Sequence, residues 1–111
     1  MKHEMKLKNK PFNIIKQGKK TIEMRLFDEK RQKLKVNDTI EFTNISNQEK
    51  IDVLIVGLHK FDSFEQLYGH FDKIKLGYHE DEDVNPKDME EYYPISEQKK
   101  YGVLGIEIKK L

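Results

Sequence analysis

Eight consecutive residues, Gly18-Lys19-Lys20-Thr21-Ile22-Glu23-Met24-Arg25, bring two ammonium groups, a hydroxyl, a carboxylate and a guanidinium close together. Such a set supports two kinds of chemistry. In the first, Lys20 and Arg25 take a phosphate or an acceptor edge and Glu23 accepts from a ring amine. In the second, Lys20 is desolvated beside a helix end and serves as a base, or Glu23 activates a water while Lys20 stabilises an oxyanion. Thr21 offers a hydroxyl donor or, beside a base, a nucleophile. Ordinary strand propensity is the plainer reason for a single Thr. Glu23 and Arg25, two residues apart, also read as a cross-strand ion pair of little worth if exposed. The candidate binding residues are therefore Lys19, Lys20, Thr21, Glu23 and Arg25, and the candidate catalytic pair is Lys20 with Glu23.

The flanking residues say what must hold this set. Gly18 reads as a helix stop, because glycine takes the left-handed conformation without a Cβ clash. Ahead of it, Asn9 can cap a helix, Pro11 suits its first turn, and Phe12 and Ile15 share a face. Beyond it, Ile22, Met24 and Leu26 alternate with Thr21, Glu23 and Arg25, which predicts a strand with an apolar back in a core and a polar row on the other side. Counted strictly, Lys20 sides with Ile22 rather than Glu23, although the turn at Gly18 loosens parity at that position.

The rest of the chain predicts short strands and short helices. Residues 4–7 alternate as a strand. Residues 27–35 are polar and basic, a loop with a helical turn. Asn37-Asp38 turns into a strand with Ile40 and Phe42 on one face. A hairpin connection at residues 44–50 leads to the longest apolar strand, residues 51–58, whose Val53-Leu54-Ile55-Val56 run predicts burial on both sides. Residues 59–62 read as a turn. Ser63-Phe64-Glu65-Gln66 matches a capping box, and Phe64, Leu67, Tyr68 and Phe71 recur at helical spacing as core. The acidic run Glu80-Asp81-Glu82-Asp83 reads as an exposed loop. Asn85-Pro86 opens a helix with Met89, Tyr92 and Tyr93 inward, and Pro94 breaks it. Residues 102–111 close the chain as a strand with Leu104, Ile106 and Ile108 alternating. This pattern points to an α+β fold, a small barrel rather than a doubly wound sheet, and no Gly-rich phosphate loop precedes a helix.

At 111 residues the chain forms one domain, residues 1–111, with a single modest core. Hydrophobic residues are 36% and charged residues 37%, so apolar side chains must be placed economically. No apolar run approaches the ~20 residues of a membrane span, the N-terminal residues lack an apolar signal region, and there is no cysteine. The expectation is an intracellular, cytoplasmic protein without disulfides, cofactor or metal. The net charge of +1 hides an asymmetry: residues 1–35 hold 12 Lys+Arg against 4 Asp+Glu, and the remainder holds 9 against 16. Either the first third forms an electropositive surface or the charges mix in space. Phe12, Phe27 and Tyr101 could stack bases, with burial as the more ordinary role. His3, His59, His70 and His79 show no ligand spacing, and His79 beside the acidic run is at most a weak hard-cation site.

The spacing Gly-x-Lys-Thr-x-Glu-x-Arg resembles the signature of the ASCH domain, the activating signal cointegrator homology module. Pro11-Phe12 with Ile14-Ile15, Val36-Asn37-Asp38-Thr39-Ile40-Glu41-Phe42 and Tyr101-Gly102-Val103-Leu104-Gly105-Ile106 resemble family segments in the same order. The resemblance implies a β-barrel similar to the PUA domain, an RNA-binding fold, with helices across its ends and a cleft beside the motif strand. It implies RNA, nucleotide or nucleoside ligands. Some ASCH-like proteins are amidohydrolases that deacylate the exocyclic amine of cytidine, using a motif lysine, a threonine three residues later and a glutamate further on. Lys20 matches that lysine, Glu23 stands where the threonine would be, and the later glutamate falls near Glu80 or Glu82. A non-catalytic protein interaction module is the third reading.

Overall fold

The computed structural model describes all of residues 1–111. Five strands, β1 (Lys2–Leu7), β2 (Ile22–Leu26), β3 (Thr39–Asn44), β4 (Lys50–Phe61) and β5 (Val103–Lys110), form one curved mixed sheet in the order β1-β3-β4-β5-β2. Only β1 and β3 run parallel; the other pairs are antiparallel. Helix α1 (Asn9–Lys16) follows β1, α2 (Phe64–His70) follows β4, and α3 (Ile95–Tyr101) precedes β5, with a 3-10 helix over Pro86–Glu91. The result is an α+β half-barrel with short helices, the barrel class that the sequence predicts. No helix is long and apolar enough to cross a membrane.

Two apolar clusters share the sheet. Inside the curve, Phe12 and Ile15 of α1 pack on Ile40, Phe42, Val53, Ile55, Leu104 and Ile106. Outside it, Ile22, Met24 and Leu26 of β2 and Val103 of β5 pack on Phe64, Leu67, Leu76 and Met89. Strand β5 is therefore covered on both faces, and β2 on its outer face. Each fully buried Phe, Ile or Leu here contributes roughly 1.5–3 kcal/mol by leaving water.

The sheet does not close on itself through backbone pairing, because β1 and β2 are its two edges. The carbonyls of Met1 and Leu7 accept from Thr39 and Ile45 on the β3 side. Those of Glu4 and Lys6 point the other way by the two-residue period. Lys30 Nζ donates to Glu4 O at 3.3 Å and Arg25 Nη2 to Lys6 O at 3.0 Å. Side chains thus bridge the seam that backbone leaves open.

Three local expectations need correction. Residues 59–62 are not a turn after the apolar strand: β4 continues to Phe61 through a bulge between Ile55 and Gly57. Strand alternation points Val56 outward, 39% exposed, while Val53 and Ile55 are fully buried, so the strand is not covered on both sides. Asn9 does not cap α1. Lys8 occupies that position without a side-chain cap, and Asn9 Oδ1 instead accepts from Asn44 Nδ2 at 2.9 Å.

The stop at Gly18 does form as read. Gly18 takes φ +80°, its N–H donates to Ile15 O at 2.9 Å and Lys19 N–H to Ile14 O at 3.1 Å. This is a Schellman turn. A Cβ at Gly18 would meet nothing within 4 Å. Gly18→Ala should therefore cost only the left-handed backbone penalty, about 1 kcal/mol, and Gly18→Asn less. Urea denaturation checks this; a loss well beyond ~2 kcal/mol would mean that a side-chain clash, not backbone conformation, selects the glycine.

Candidate functional site

The register of β2 on β5 decides where the motif points. Glu23 lies opposite Ile106 and Arg25 opposite Leu104, and both partners belong to the cluster inside the curve. The polar row of β2 therefore faces the barrel interior at the open seam, and Glu23 is only 3% exposed. A carboxylate there needs partners, because an uncompensated buried charge is costly. It has four contacts. Lys20 Nζ lies 3.1 Å from Oε1 and Met24 N–H donates to Oε1 at 3.1 Å. Arg25 donates to Oε2 from Nη2 at 2.9 Å and Nε at 3.2 Å.

The electrostatics follow from this arrangement. Burial alone would push the Glu23 carboxyl up, but the Lys20 ammonium and the Arg25 guanidinium more than offset it and hold the group at about 2. Burial pulls the Arg25 guanidinium down, and Glu23 more than offsets that, with Tyr93 adding to the upward shift. A carboxylate so acidic, with both oxygens occupied, is a weak proton acceptor near neutral pH. Its geometry suits an anchor that fixes the two cations.

Lys20 reaches Glu23 despite strand parity because β2 begins only at Ile22; Lys20 is still in the turn that leaves α1. Its stem lies over Gly77, where a Cβ would come within 2.8 Å of Lys20 Cδ, and Gly77 takes φ +101°. The same loop is tied to the motif by backbone: Lys75 O accepts from Thr21 N–H at 3.0 Å and from Ile22 N–H at 2.9 Å.

A cleft of about 280 Å³ opens at the seam, with Lys20, Glu23 and Arg25 on one side and Tyr92 and Tyr93 on another. Lys6, Leu7 and Lys8 of the β1 end and Met89 complete its walls. Its volume sits near the lower end for small-molecule sites. Tyr92 is 52% exposed, and the Lys8 ammonium lies 4.9 Å from its ring centre. A second, smaller cleft of about 160 Å³ shares Pro11, Lys20 and Met24 and adds Tyr78 and Glu82. Lys73 folds the acidic loop toward it by donating to Glu80 O and Glu82 O at 2.6 and 2.8 Å.

Of the residues singled out in sequence, Lys20, Glu23 and Arg25 come together. Lys19 is exposed and Thr21 half-buried, and neither lines the seam cleft. Of the later glutamates, Glu82 lines a cleft with Lys20 and Glu80 does not. The aromatics considered for stacking lie elsewhere. Phe12 is fully buried, Phe27 sits under Lys60, and Tyr101 packs on the outer cluster. The cleft's aromatics are instead Tyr92 and Tyr93, which sequence periodicity assigns to a helix's inner face. The basic first third is partly neutralised: Lys2 pairs with Glu41, Lys10 with Glu82 and Lys16 with Glu49.

The unpaired seam of the half-barrel thus holds an anchored cationic pair in a cleft that aromatic rings help to line. Comparison with known proteins gives the family. The ASCH domain profile matches residues 5–111, and the chain belongs to the ASCH domain family. Two solved structures are similar over their whole length. The crystal structure of hypothetical protein PH0355 is 30% identical with a TM-score of 0.84, covering 100% of both chains. The solution NMR structure of protein PF0455 from Pyrococcus furiosus is 31% identical with a TM-score of 0.75, covering 100% of this chain and 98% of that one. A search of curated proteins finds no match.

The Glu23 shift has a pH signature. Its folded value lies below the ordinary carboxylate value of 4.5, so the stability it contributes is complete above about pH 4.5 and is lost as pH falls toward 2. The separation corresponds to about 3 kcal/mol. Glu23→Gln should lower stability at pH 7 by about that amount or somewhat more, since it strands two buried cations. It should also flatten the acid limb between pH 4.5 and 2, where the two curves converge. Parallel curves for the two proteins across that window, measured by urea denaturation, would contradict the assignment.

Proposed function

We propose that this ASCH protein binds RNA or a nucleotide by seating one base in the seam cleft. The observation that carries the reading is the fixed cation pair: Lys20 and Arg25, held by a buried Glu23, line one cleft of about 280 Å³ with Tyr92 and Tyr93. Preset donors cost little ordering on binding. The half-exposed Tyr92 supplies a flat π-face on which any base can stack. Lys8, now over that ring, moves to the cleft rim when a base replaces it and meets the attached phosphate.

A second reading is deacylation of a modified nucleoside such as N-acylated cytidine. It is favoured by one observation, the placement of Glu82 and Lys20 on a single small cleft. There Glu82 would be the base and Lys20 the oxyanion donor, with no threonine at the position that Glu23 occupies. Release of the acyl group by the wild-type chain, abolished in Glu82→Gln, is the result this reading requires.

Tyr92→Ala tests the binding reading cleanly, because an exposed ring can be removed without opening the core. Base–aromatic stacking is worth ~1–3 kcal/mol, so affinity for a short single-stranded RNA should fall roughly 5- to 150-fold with the melting temperature unchanged. An amide NMR titration should place the wild-type shifts on Lys8, Lys20, Arg25 and Tyr92. Unmoved cleft amides at saturating RNA would sink the proposal.

A further inference from the structure

We infer that the ligand is a strand rather than a free nucleoside, and that its phosphates run from the seam cleft into a second, basic groove. This rests on the cleft reading above and extends it to a site that the motif alone does not mark. The groove has a volume of about 550 Å³, about twice that of the cleft, and shares Lys6 and Arg25 with it. The two adjoin at the β1 edge, where the Arg25 guanidinium donates to the Lys6 carbonyl at 3.0 Å.

Charge gives the groove its chemistry. Lys6, Arg25, Lys30, Arg31 and Lys50 line it against two carboxylates, Glu4 and Glu41. Glu41 is already shared by Lys2 Nζ at 2.9 Å and Lys50 Nζ at 3.5 Å, and those lysines hold its carboxyl below the usual range. Five cations thus line the groove against two carboxylates, and two of the five, Arg25 and Arg31, also hold the carboxylates of Glu23 and Asp28 outside it. Thr43 and Gln48 add neutral hydrogen-bonding groups among the cations.

Arg31 brings the groove a guanidinium whose donors are only partly satisfied. Its Nη1 donates to Asp28 Oδ2 at 3.0 Å. Its Nε is the one buried side-chain polar atom in the chain without a hydrogen-bond partner. An unpaired buried donor is costly, and the Nε/Nη2 side of a guanidinium matches a phosphate bidentately once it turns toward the groove. The groove carries a single apolar lining residue, Met5, so it offers little to an aromatic base. Its size exceeds what one phosphate fills. A backbone of a few nucleotides, with one base turned back into the cleft, fits both spaces.

The test compares the four ribonucleosides with a mixed-sequence single-stranded RNA of about six nucleotides. The full chain, its Lys30→Ala/Lys50→Ala double variant and Tyr92→Ala are titrated at several salt concentrations. Lys30 and Lys50 are exposed, and melting curves check that the double variant folds. Each phosphate neutralised on a single strand contributes about −0.7 to the slope of log K against log salt. The oligonucleotide should bind the wild type more tightly than any nucleoside, with a slope of roughly −1.5 to −3. The double variant should reduce that slope by about 1.4 and leave nucleoside affinity unchanged. An oligonucleotide that binds no better than a nucleoside, or a slope that survives in the double variant, overturns the groove while the cleft reading stands. Polyglutamate of equal charge binding as well as the RNA also overturns it, since the groove would then read charge alone. Nucleosides that do not bind, with Tyr92→Ala leaving oligonucleotide affinity unaltered, remove the cleft reading and the path into the groove with it.

Discussion

The buried contact among Lys20, Glu23 and Arg25 is the interaction on which the site depends. Three charged groups lie at the inner face of a barrel, where replacing an ion pair by well-packed apolar residues is often neutral or stabilising. Apolar residues at these positions would join the interior cluster directly, as Leu104 and Ile106 opposite them do. The triad is nonetheless fully compensated, and removing one member would strand the others. It presents two cations at fixed positions on an otherwise apolar wall, and the Glu23 carboxylate absorbs their mutual repulsion. The loop at Lys75 and Gly77 seats the Lys20 stem, so a long flexible side chain behaves as a rigid one.

The half-barrel makes such a wall accessible. A closed barrel would place the row of β2 inside a sealed core. A flat sheet would leave it in solvent, where an ion pair holds little energy. At a seam between two edge strands the row is dry on one side and reachable on the other. The helical layer on the outer face of β2 and β5 allows this, because Ile22, Met24 and Leu26 keep the strand in place even though its inner face is polar.

Much of this was readable in the sequence where the determinants are local. Gly18 announces a Schellman turn because only glycine takes that backbone cheaply, and the alternation from Ile22 to Leu26 announces a strand. The burial of Glu23 was not readable, since it depends on pairing with Ile106, far away in the chain, and a register is a non-local fact. The aromatic wall was missed for a related reason. Met89, Tyr92 and Tyr93 share a face on an ideal α-helix, but the segment is a 3-10 helix that ends at Glu91, so Tyr92 turns out to solvent while Tyr93 stays on the outer cluster, stacked on Phe64 with ring centres 5.8 Å apart. The extension of β4 turned on a bulge at Val56, marked only by Gly57, whose added Cβ would lie 2.9 Å from Glu107 Oε1.

Arg25 reaches in two directions, to Glu23 across its own strand and to the Lys6 carbonyl on the exposed border of β1. An unguarded strand border is a template on which another chain can add, and long basic side chains are a common deterrent. One guanidinium thus holds the buried carboxylate and guards the strand border together. A substitution at this position therefore unmasks a sticky border as well as loosening Glu23, whereas Tyr92 and Lys8 on the same cleft carry no such second duty and are free to vary.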